Sequence, residues 1–136
     1  MTVRAAAAVS AIYDALVGVL MLAGRPLLAG LFGVALPQPP IFADLNGVFL
    51  VAVAAGYLIP YREPESRGGR MYLWVMGPLL KGAGALTFVV DVYVRHSPRS
   101  FLLFAVSDGA LALLTLWALT RATSSTVRAQ SDTRRP

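Results

Sequence analysis

Apolar residues gather in four runs along the chain, at 5–24, 41–60, 71–94 and 101–120, and the stretches between them concentrate Pro, Gly, Ser and Arg. Each run holds about 20 residues, enough for an α-helix rising about 1.5 Å per residue to cross a hydrocarbon core of about 30 Å. The pattern predicts an all-α chain, a four-transmembrane-helix bundle. Within the runs the less apolar positions recur at spacings of three and four, which places them on one face of each helix. Ser10, Asp14, Gly18 and Met21 align in the first helix, Asn46, Leu50, Val53 and Tyr57 in the second, and Phe104, Asp108, Ala112, Thr115 and Leu119 in the fourth.

The breaks between runs are equally informative. Arg25 and Pro26 end the first helix, and residues 27–36 are too few to cross a bilayer yet too apolar for a solvated loop, so a short interfacial segment is expected there. Pro37, Gln38, Pro39 and Pro40 read as a stiff extended connector. The stretch 61–70, YREPESRGGR, is the most polar between helices and reads as a water-exposed loop. Tyr57 and Tyr61, and then Tyr72 and Trp74, suit headgroup boundaries, and Pro78 predicts a bend in the third helix. Residues 1–120 thus form one membrane domain, and 121–136, poor in apolar residues, a disordered basic tail.

Composition places these helices in lipid: 57% of residues are hydrophobic and 14% charged, against about a quarter charged in soluble proteins. Asp14 interrupts the first run and three similar runs follow, which argues against a cleaved signal peptide. The absence of cysteine excludes disulfides, thiolate metal sites and cysteine nucleophiles. The net charge of +5 does not point to nucleic acid, because the arginines lie at helix ends and in the tail and form no basic stripe. Arg4, Arg62, Arg67, Arg70 and four arginines from Arg121 onward fall on one side, and Arg25, Arg95 and Arg99 on the other. The positive-inside rule puts both termini in the cytoplasm, with the chain integral to a plasma membrane of the bacterial inner type. The expected partners are the lipid bilayer and a second copy or another membrane protein.

The chemistry-bearing candidates are the ionisable groups inside the runs, each costing roughly 2.5–3.5 kcal/mol on insertion scales and therefore facing the interior. Counting residues along each helix, Asp14 and Lys81 lie about 14 and 15 Å from the cytoplasmic side, and Asp108 about 10 Å from the opposite one. A mid-depth cluster of the three is expected, with Asp44, Asn46 and Asp91 nearer the outer ends as the mouth of a cavity. Gly77, Gly82 and Gly84 around Lys81 would admit a neighbouring helix closely. Ser10 and Ser107, each near an Asp, are expected to bond their own backbone. His96, the lone histidine, reads as a surface turn residue.

No HExxH, GxSxG or phosphate-cradling loop is present, so an enzyme is the less favoured class, and no cofactor or metal site is implied. The four short helices with a lysine in GPLLKGAGAL resemble the DoxX-like group of small bacterial membrane proteins; DLNGVFLVAVAAGYLIPYREP and SPRSFLLFAVSDGALALLTLWAL resemble uncharacterised bacterial chains. The resemblance implies the four-helix plan and no activity. The leading expectation is a non-enzymatic ligand-binding or partner-associated subunit whose Asp14, Lys81 and Asp108 hold a ligand, relay a proton or fix the helices. The alternative is a proton-coupled transporter acting as a dimer, and the third a membrane enzyme on a lipid or quinone.

Overall fold

A computed structural model describes residues 1–132, with side chains to residue 122, and every regular element among them is helical. α1 spans Val3–Ala23, started by Thr2, whose hydroxyl accepts from the Ala5 N–H at 3.2 Å. Gly24 ends it, and the expected interfacial segment folds as a short helix, α2, at Arg25–Phe32. Gly33, at φ 64°, closes α2, where a Cβ would be strained.

The second run is broken near its end into α3, Ile41–Gly56, and α4, Leu58–Arg62. Pro60 is the local cause: it has no N–H to offer Gly56, four residues back, and its ring disfavours a regular turn there. The third run is three pieces, α5 at Arg67–Trp74, a π-helical stretch at Val75–Lys81, and α6 at Gly82–Val94. The bend expected at Pro78 is realised as this wider π-helix, which accommodates a residue that cannot donate. The polar loop is shorter than expected, because Ser66 caps α5 with its hydroxyl on the Gly69 N–H at 3.0 Å and draws residues 67–70 into the helix. After a turn with His96 at φ 60°, a 3₁₀ turn at Arg99–Phe101 leads into α7, Leu102–Asp132. α7 runs beyond the expected boundary at 120; the side chains and last residues of the expected disordered tail lie outside the described residues.

Four helical stretches are long and apolar enough to cross a membrane: Val3–Ala23, Ile41–Arg62, Arg67–Val94 and Arg99–Ala122. α1 packs along α3, α7 packs along the π-helix and α6, and α1 also meets α7. The closest approach of α1 and α3 is at Gly18 and Gly47, where a Cβ on Gly18 would stand 2.9 Å from the Gly47 carbonyl oxygen. The π-helix nears α7 at Gly77, where a Cβ would meet Thr115 at 2.6 Å. Gly82, expected to serve likewise, has open space before it.

Packing is uneven along the helices. Around the start of α1, Val3, Ala7, Val53, Tyr57, Leu73 and Leu119 form a tight buried cluster. Tyr57 is fully buried there, edge-on to Tyr72 with ring centres 5.3 Å apart, rather than at a headgroup boundary as its position suggests. Tyr72 also turns inward, its hydroxyl donating to the Val53 carbonyl at 2.6 Å. Large apolar side chains such as Ile12, Phe42, Leu86 and Val106 are about 70% exposed, while Ser10, Asp14, Lys81 and Thr115 are buried. Charged groups inside and bare apolar faces outside invert the usual distribution in soluble proteins.

Candidate functional site

Asp14, Lys81 and Asp108 converge. Lys81 is the last residue of the π-helix, Asp14 lies mid-way along α1, and Asp108 is in the second turn of α7. Lys81 Nζ donates to Asp14 Oδ1 at 2.5 Å and stands 3.6 Å from Asp108 Oδ1. It also sits over the Tyr13 ring, 4.8 Å from its centre, within cation–π range. The two carboxylates differ in surroundings: the Asp14 side chain is 2% exposed and Asp108 17%. Gly84 lets the Asp108 carboxylate approach its helix closely, since a Cβ there would lie 3.3 Å from Oδ2.

Hydroxyls surround the cluster. Ser107 bonds back to the Leu103 carbonyl at 2.9 Å, as expected, and its oxygen lies 2.7 Å from the Tyr13 hydroxyl. With the Ser107 proton committed to the backbone, Tyr13 is the donor of that second bond. Ser10 departs from expectation: its oxygen makes no backbone bond and faces the Tyr57 hydroxyl, and among the described residues Asp14 Oδ2 and the Thr115 hydroxyl are buried without a hydrogen-bond partner.

The ion cluster floors a cavity of about 380 Å³. Each helix contributes residues at spacings of three and four: Tyr13, Asp14, Val17 and Met21 from α1; Asn46, Phe49, Leu50 and Val53 from α3. Leu80, Lys81, Gly84 and Phe88 come from the third run, and Phe101, Phe104 and Asp108 from the fourth. Phe104 stacks between Phe88, at 5.2 Å, and Phe32 of α2, at 4.6 Å, so α2 is tied to the cavity wall by one ring. Ser100 reinforces this contact by donating to the Phe32 carbonyl at 2.7 Å.

The outer acids do not join the cluster. Asp44 is paired with Arg25 at 3.0 Å, and Asp91 with Arg95 one turn on, at 3.3 Å; neither lines the cavity. Asn46 does line it, with its amide nitrogen 3.4 Å from Met21 Sδ. Tyr13 and the rings of Phe49, Phe88 and Phe101 escaped the sequence reading, which followed polar residues; the signal for the three rings is a place three or seven residues from Asn46, Lys81 or Asp108, and Tyr13 directly precedes Asp14. Among the described residues no group of three or more His, Cys, Asp or Glu side chains is placed to hold a metal ion. No protein-family model matches the chain, and neither a curated protein nor a solved structure matches it. The DoxX-like resemblance therefore has no matching family behind it.

Proposed function

We propose that this chain is an integral membrane protein that holds a small ligand between its four spans, in the bacterial inner membrane with both termini cytoplasmic, and performs no chemistry on it. The observation that carries the reading is the cavity of about 380 Å³ floored by Asp14, Lys81 and Asp108. Its volume lies within the roughly 300–1,000 Å³ of small-molecule sites, and its walls are apolar with a few convergent polar groups, the usual composition of such pockets. A purely structural ion pair needs Asp14 and Lys81 alone. The third ionisable group adds an insertion cost of roughly 2.5–3.5 kcal/mol, and Asp108 is the most exposed of the three that line the cavity.

Native mass spectrometry of the protein released from its own membranes tests this. A small molecule should accompany the unaltered chain, be displaced by Leu50→Trp, which fills the cavity, and be diminished by Asp108→Asn. Equal retention by the filled and unfilled chains would sink the reading.

The second reading, a proton-coupled transporter, draws on the uneven packing. The cavity ends at the ion cluster, and beyond it lies the tight group of Val3, Ala7, Tyr57, Leu73 and Leu119. A site closed off on one side by packed side chains matches one of the two states alternating access requires.

A further inference from the structure

We propose that the ligand of this cavity is an arylalkyl amine carried as its ammonium ion, with the charged nitrogen on Asp108 and the ring system among the phenylalanines. The inference rests on the ligand-binding reading above and adds the chemical class.

The charge count at the floor comes first. Two carboxylates, Asp14 and Asp108, share one ammonium, Lys81, and the bonds are unequal: 2.5 Å to Asp14 and 3.6 Å to Asp108. Arg25 and Arg95, at helix ends, are engaged with Asp44 and Asp91. The cluster is formally one positive charge short, in surroundings where an unbalanced charge is expensive. The shortfall falls on Asp108, which is both the farther from Lys81 and the more exposed to the cavity. An ammonium nitrogen placed in the cavity within hydrogen-bond reach of the Asp108 carboxylate balances the count and makes a charge-assisted hydrogen bond.

The walls select the rest of the molecule. Phe49, Phe88, Phe101 and Phe104 surround the space with rings, and Tyr13 lies beside the acid. Rings stabilise a nearby cation through their quadrupole and pack against a flat aromatic body. A carboxylate set among aromatic rings discriminates for cations and against anions. An anionic ligand would have only Lys81 to meet it, and Lys81 is already committed to Asp14 at 2.5 Å.

The test uses the full chain in nanodiscs of zwitterionic lipid, with empty discs as the blank, and three probes of one shape: 1-naphthylmethylammonium, 1-naphthylmethanol and 1-naphthoate. The ammonium should bind about tenfold or more tightly than the alcohol, the factor that 1.4 kcal/mol supplies. Naphthoate should bind weakest. Asp108→Asn should remove the preference for the ammonium while leaving the alcohol's affinity within about twofold, and Asp108→Glu should keep the preference. If the alcohol or the naphthoate binds as tightly as the ammonium, or the preference survives in Asp108→Asn, the charge class is overturned while the cavity remains a ligand site. If none of the three binds above the empty disc, both readings fall. The comparison on the unaltered protein decides the charge class even where a variant does not fold.

Discussion

At the scale of single residues, ion pairs on the helices divide sharply by surroundings. Arg95 and Asp91 are neighbours on one helix with an exposed guanidinium, and such pairs are worth about 0.2–1 kcal/mol. Lys81 and Asp14 are nearly sealed. Removing one partner of such a pair leaves a buried charge alone, which costs about 3–5 kcal/mol, whereas removing both is often close to neutral. Lys81→Met should therefore lower the melting temperature in detergent far more than Arg95→Met, and Asp14→Asn with Lys81→Met should recover much of that loss. A double variant no more stable than Lys81→Met would show that the two groups do not depend on each other. The meeting of Asp14, Lys81 and Asp108 is legible in the sequence because a helix rises uniformly, so residue count translates into depth. The pairing of Asp44 with Arg25 is not, because depth alone does not tell a cavity mouth from a neighbouring helix end.

At the scale of elements, four helices and one inward face apiece follow from periodicity, and Asn46, Leu50 and Val53 do line the cavity as their spacing indicates. The subdivisions are harder to read. Pro60 and Pro78 act on the turn before them in different ways, one interrupting a helix after Gly56 and the other widening it to π, and the choice rests on packing. Glycines show the same limit. Gly47 and Gly82 are indistinguishable by sequence, yet a Cβ on Gly47 would lie 2.8 Å from Leu22 and 3.0 Å from the Gly18 carbonyl, while Gly82 faces open space. Gly47→Ala should cost about 1–3 kcal/mol by overpacking the α1–α3 crossing, and Gly82→Ala should be neutral or gain a few tenths from helix propensity. Melting curves of the two variants check this; equal behaviour would contradict the close approach.

For the whole molecule, the bare apolar exterior and the charged interior fit lipid as the surrounding medium. The proposed topology predicts that the turn at Pro64 and the turn at Ser97 lie on opposite sides. Because the chain has no cysteine, Pro64→Cys and Ser97→Cys give clean single labelling sites. In intact cells a membrane-impermeant maleimide should label the second and spare the first; labelling of both, or of the first alone, would reverse or refute the arrangement.

The stacking of Phe32 on Phe104 has one more consequence. α2 meets the cavity-lining Phe104 through that ring and is held nearby by the Ser100 bond, at the end away from the ion cluster. An occupant's affinity would be set at the floor, by Asp108, but its dwell time at the wall, by how often Phe32 lifts off. Because an aromatic pair contributes about 0.5–1.5 kcal/mol beyond the area it buries, exchange could be quickened severalfold at this one ring with the equilibrium left almost where it was. On the ligand-binding proposal, selectivity and speed would reside in different helices, each open to change without the other.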